Sequence, residues 1–172
     1  MEKVKLRNHD DGSDIVFMYN PKELSLKEAV ETSDNPGARS QRSGRPKVSF
    51  SNLPAKTITI SNILFDTFET KENVVETYIK KFQAATRFIN GLQRPPVYCL
   101  TWGKEEYLEY CFVESVSYKL TKFLQDGTPV RAIIDTLTLK ETEKPNDDAS
   151  STPNSQPDPA NDNMKNRQKT RS

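Results

Sequence analysis

Histidine is almost missing from this chain, with one in 172 residues, and cysteine is nearly so, with two. A thiolate or imidazole metal centre needs several ligands at close spacing, and Cys99 and Cys111 have no C-x-x-C relation, so a metal site is not expected. Two cysteines are also too few for a disulfide framework. Their pairing turns on local register. In a regular hairpin Trp102 pairs with Tyr107 and Cys99 falls opposite Tyr110, whereas a one-residue bulge would set Cys99 opposite Cys111, within disulfide reach. Two small buried thiols is the favoured reading. His9, among Asn8, Asp10 and Asp11, reads as a solvated turn residue. Glycine is scarce, six in all, and no phosphate-cradling loop is present. Glu105, Glu106 and Glu109 fall on or beside a hairpin turn and read as solvated acids, not as a glycosidase pair.

Long apolar runs are absent too. Nothing approaches the ~20 residues of a membrane helix, and "MEKVKLRNHDDG" lacks the apolar centre of a secretion signal. Assembly in the cytoplasm without a membrane partner is therefore expected. With 25 basic and 24 acidic residues the net charge is +1. Such a balance steers the chain to neither nucleic acid nor anionic lipid.

What the chain does have is strand pattern. "VKLRNHDDGSDIVFMYNP" reads as a hairpin through Asp11-Gly12, closed by Asn20-Pro21. Residues 22–47, "KELSLKEAVETSDNPGARSQRSGRPK", read as an unusually long polar loop inside the domain. Arg39, Arg42 and Arg45 make it locally basic, which suits either plain solvation or an acidic partner surface. In "KTITISNILFDTFE" the apolar parity changes between Ile60 and Ile63, which predicts a bulge near Ser61-Asn62 or a strand covered on both faces.

One helix is predicted, over Asn73 to Asn90. Its apolar stripe runs through Val74, Val75, Tyr78, Ile79, Phe82, Ala85, Phe88 and Ile89, with Asn73 as N-cap and Gly91 past the end. Thereafter all is strand: "VYCLTW", a "GKEE" turn, and "YLEYCFVESVSYKL". Counting by twos puts Leu108, Tyr110, Phe112, Val116, Tyr118 and Leu120 on one face, with Glu114 its polar exception. Asp126-Gly127 then turns the chain into a last strand, Val130 to Leu139. The fold class is α+β, mainly β: an antiparallel barrel or two-sheet domain over residues 1–143, with one flanking helix. Residues 144–172 hold almost no apolar side chain beyond Met164 and are expected to be a disordered tail.

Three segments, in order, resemble the tube-type proteins of contractile injection systems. They are "FMYNPKELSLK", "ITISNILFDTFET", and the block from Arg94-Pro95-Pro96 through Trp102-Gly103 and "DGTPVRA" to the final strand. The resemblance implies a structural protein, not an enzyme, with no cofactor. It also implies a homo-hexameric ring in the baseplate, between the spike hub on one side and the inner tube on the other. Some relatives carry a C-terminal LysM-like module where this chain has its polar tail. For a ring of this kind the lumen candidates are Thr57, Thr59 and Ser61, or Thr136 and Thr138, and the interface candidates are Arg39, Arg42 and Arg45. The competing reading is a small tube-loaded or secreted effector on a β scaffold.

Overall fold

The structure, a computed structural model, describes residues 1–39 and 46–145, with the backbone path alone for 33–39 and 46–51. The expected tail, residues 144–172, lies outside the described residues from 146 onward, as do Arg42 and Arg45.

The chain is mainly β and antiparallel throughout. The strands are β1 (Val4–Asn8), β2 (Asp14–Val16), β3 (Ser25–Lys27), β4 (Glu31–Arg39), β5 (Pro46–Asn52), β6 (Thr57–Asp66), β7 (Tyr98–Trp102), β8 (Glu105–Phe123) and β9 (Pro129–Glu141). Seven of them form one sheet in the order β2-β1-β7-β8-β9-β6-β3, which does not close into a barrel, and β4 and β5 form a separate pair. Strand β8 belongs to two halves of the large sheet. Up to Cys111 it pairs with β7, and from Cys111 onward it pairs with β9. One apolar cluster nonetheless draws on both halves, from Val4, Leu6 and Leu100 to Ile60, Phe65 and Leu137. The sheet therefore curls over its own core.

A helical segment closes the open side. A π-helical turn, Val75–Ile79, runs into α1, Lys80–Ala85. Phe82 meets Phe17 and Phe65 edge-on with ring centroids 5.9 and 5.8 Å apart, a favoured aromatic geometry. Asn73 caps the segment as expected, its Oδ1 accepting from the Val75 N–H at 2.9 Å. The helix is much shorter than the predicted Asn73–Asn90. It ends at Thr86, whose hydroxyl donates back to the Gln83 carbonyl at 2.9 Å. Phe88 then stands 68% exposed, and Gly91 (φ +89°) belongs to the following turn.

The described part of residues 22–47 is not a loop. It holds β3, the start of β5, and β4, whose polar sequence has no apolar alternation to announce its pairing with β5. Pro36 and Gly37 fall where the pairing breaks, between Asn35 and Arg39, so the missing proline N–H costs no ladder bond.

The hairpin of β7 and β8 also differs from its expected register. Trp102 pairs with Glu105, not Tyr107, because Gly103 (φ +64°) permits a two-residue turn. Further along, Cys111 lies opposite Tyr98. Both thiols are buried and unpaired, Cys111 within the core cluster and Cys99 outside it. The face of β8 is reassigned as well. Leu108, Cys111, Val113, Val116, Tyr118 and Leu120 pack on the core, while Tyr110 and Phe112 do not. Extra residues in β8 relative to its partners cause this: one lies between Leu108 and Cys111, and Glu114 is another.

The parity change in β6 is a true irregularity. Ile58, Ile60, Ile63 and Phe65 are all buried, and Asn62 lies between them with φ +57°. Its counterpart on β9 is Asp135, also unpaired, so the β6–β9 register passes through unchanged while β8 sees Asp135 as one extra residue. Asparagine tolerates this left-handed conformation and a β-branched residue does not. Asn62→Gly should leave stability within a few tenths of a kcal/mol, whereas Asn62→Val should cost about 1–2 kcal/mol. Urea unfolding of the two variants checks this, and equal midpoints would contradict it.

Candidate assembly surface

Alternation along β6 and β9 drives the isoleucines and leucines inward and leaves small hydroxyl side chains on the opposite face. The two groups of lumen candidates turn out to be neighbours. Thr59 lies opposite Thr138 and Ser61 opposite Thr136, with Thr57 opposite Lys140. The rows continue outward: Thr138 faces Ser115 and Thr136 faces Ser117 on β8, and Thr59 faces Ser25 on β3. Thr57, Thr59, Ser61, Thr136 and Thr138 are half-buried, and Ser25, Ser115 and Ser117 are exposed. Sequence reading missed these last three because cross-strand neighbours depend on pairing, not on spacing.

Beyond the irregularity the same face changes character. Leu64 and Ile133 form a half-buried apolar pair, followed by Asp66 opposite Arg131. The Arg131 guanidinium donates to Asp66 Oδ2 at 3.0 and 2.5 Å. Burial works against ionised Asp66, but the Arg131 and Phe68 N–H hydrogen bonds outweigh it and hold the carboxyl below its usual range. Lys119 pairs with Asp135 at 2.7 Å and Lys140 with Glu114 at 3.6 Å. Most charge on this face is thus neutralised in place.

Both margins of this four-stranded layer are open. Past Cys111 no strand pairs with the free side of β8 among the described residues. On the other margin β3 covers β6 only from Thr57 to Thr59. After β2 the chain touches β6 at Met18, whose Sδ accepts from the Asp66 N–H at 3.2 Å, and is then held away from it by Asn20. Its Oδ1 accepts from the Val4 N–H at 3.0 Å and its Nδ2 donates to the Glu2 carbonyl at 2.7 Å. Arg39 lies at the end of β4, opposite Pro46. The structure does not bring it to the hydroxyl face through any described pairing.

The residues with titratable chemistry are occupied structurally. His9 Nε2 lies 3.0 Å from the Glu109 carbonyl, with its ring against Tyr110. Burial pushes both thiols up to about 12, with Glu106 adding to the effect at Cys99 and Cys99 adding to it at Cys111. Asp10 fastens the first turn to the 94–97 segment. It accepts from Arg94 at 2.6 and 3.1 Å and from the Val97 N–H at 3.0 Å. The Arg94 hydrogen bond, against some burial, holds Asp10 below its usual range.

Two outcomes follow from these contacts. Asn20→Ala should cost about 1–3 kcal/mol, because the Val4 N–H in the core loses its acceptor. A melting temperature equal to that of the parent would contradict this. Since the folded-state pKa of Asp10 is depressed, its contribution is present above the unfolded value of about 3.9 and is lost as pH falls through the folded one. Below about pH 4 the parent should lose stability more steeply than Asp10→Asn, as read by melts across pH.

No curated protein matches this sequence significantly. Residues 1–150, however, match the model of one described family. Over that span the chain matches the contractile injection system tube protein, and it belongs to that family.

Proposed function

We propose that this structural component of an injection particle forms a homo-hexameric ring. In this reading the ring lies in the baseplate between the spike hub and the inner tube, and its far side templates the first tube layer. Copies join head to tail, each open margin of the β8-β9-β6-β3 layer taking up a segment of a neighbouring copy. The observation that carries the reading is that this single layer has an open edge on each side and a hydroxyl face between them. An unpaired edge is a template for another chain, and a ring satisfies every edge by closure. Thr57, Thr59, Ser61, Thr136 and Thr138 then line the lumen. With Lys119, Lys140 and Arg131 already paired to acids, passing cargo of either sign meets little net charge. The Arg39, Arg42 and Arg45 cluster is assigned to a contact with a neighbouring subunit or ring. Assembly takes place in the cytoplasm.

The effector reading has less support. A buried thiol whose pKa is near 12 is a poor nucleophile at neutral pH, and the single histidine ring meets a backbone carbonyl.

Electron microscopy of the native particle tests the proposal. Six copies per layer on the tube–spike axis is the expected result, and any other stoichiometry or an off-axis position would overturn it. Replacing Arg39, Arg42 and Arg45 together with serine should reduce particle yield while leaving the free protein folded by circular dichroism. Normal yield would remove the arginines from the interface.

A further inference from the structure

The short pairing of β3 with β6 leaves a wedge. If that register continued, Glu23 would face Ser61, Lys22 would face Asn62 and Asn20 would face Leu64. Instead these six residues line a cleft of about 620 Å3, with Tyr19 at its end. Three features keep the ladder from zipping. Asn20 is fastened to Glu2 and Val4. Pro21, which would face Ile63, has no N–H to give. Asn62, at φ +57°, bends β6 away from regular pairing. The wedge is therefore built into the monomer, and its floor is the free edge of β6 from Asn62 to Leu64, the Asp66 N–H beyond it being taken by Met18 Sδ.

Elsewhere in the chain is a pair of strands with the opposite deficit. Among the described residues, hairpin β4–β5 pairs only with itself and has no more than glancing contact with any other element. A lone two-stranded hairpin is marginal in water and needs a third strand or a face to pack on. It leaves the body at the far end of β6, where Val30 and Leu53 are 54% and 83% exposed. Of its two strands, β4 contains Pro36 and Gly37, whereas β5 has its only proline at its first position, then Val48 and Phe50 at alternate residues. Strand β5 is the better donor.

We infer that β5 of one copy enters the wedge of the next copy and adds a strand to the β6 edge at Asn62–Leu64. The occupant is a second copy of this chain. The inference rests on the head-to-tail assembly proposed above and says which segments make the joint. It gives the hairpin the third strand it lacks and gives β6 the neighbour that β3 does not supply. The main-chain bonds set affinity, while the apolar alternation in β5 and the Leu64 side of the wedge favour one register.

Disulfide trapping in the full-length protein, read together with oligomer formation, tests this. Ser49→Cys and Asn62→Cys proteins are prepared separately, mixed in equal amounts and oxidised under native conditions, Cys99 and Cys111 being buried. Non-reducing gels should show a linked dimer from the mixture and from neither parent alone. The double variant should give a ladder of linked oligomers, which electron microscopy reads as rings. A second variant, Ser49→Pro with Ser51→Pro, removes two N–H donors from β5 and should abolish oligomers while the far-ultraviolet spectrum and melting of the body persist. Rings that form with no 49–62 link, or that survive the double proline change, would overturn the strand addition and leave the ring itself standing. A link that forms only within one chain would overturn it as well. Failure of every variant and of the parent to associate, even in purified particles, would overturn both the joint and the ring.

Discussion

The fold depends on β8 being shared. A strand of 19 residues cannot lie flat in one layer of so small a domain, and β8 gives its first part to β7 and the rest to β9. Because the two partners lie on opposite sides, the sheet is stepped at Cys111 and curls so that both halves face one core. Extra residues at Glu114 on β8 and at Asp135 on β9 supply local bends, since a bulge increases twist where it occurs. The same step creates the free edge. Where β8 leaves β7, its far side has no strand partner among the described residues.

That strand also shows why counting by twos reads the ends of an element correctly and its middle wrongly. The core positions are Leu108, Cys111, Val113 and Val116, so the interval is three, then two, then three. The two irregular steps cancel. Leu108 and Val116 keep the parity that the sequence suggests, while Tyr110 and Phe112 between them are turned away. In β6 one irregular step does not cancel, and the parity change between Ile60 and Ile63 therefore remains visible in the sequence. The hydroxyl residues of β6 and β9 could be named from alternation alone. Their adjacency could not, because it comes from a pairing between strands more than sixty residues apart in sequence.

The hairpin and the helix fail for complementary reasons. Strand β4, ETSDNPGAR, carries no alternating apolar residues, so the segment looks like a loop although its backbone pairs with β5. The helix carries its apolar period past Thr86, but period alone does not say which residues reach the core. Phe88 keeps the spacing and is left on the surface, because Arg94, Pro95 and Pro96 must return the chain to β7. Asn20 is the most consequential residue that spacing could not assign. In sequence it is half of a turn dipeptide, and in the structure one end of its amide is committed to Val4 of β1 and the other to Glu2 just before it.

A protein with free strand edges must also avoid pairing at the wrong time, and the margins here are built with that restraint. Strands β2 and β3 have three residues each, too few to template a stable partner. The longer edge of β6 lies inside a wedge walled by the 19–23 segment, where only an extended chain can reach it. The β8 edge is interrupted by Glu114 and followed by Lys119 and Lys122, so a flat, unselective strand does not dock there readily. Open edges and protected edges are thus combined in one layer. A ring can close when the geometry of neighbours is right, and random edge-to-edge association is disfavoured before then. The restraint follows from short strands, one clamped asparagine and a bend at Asn62, and not from the strength of any interface.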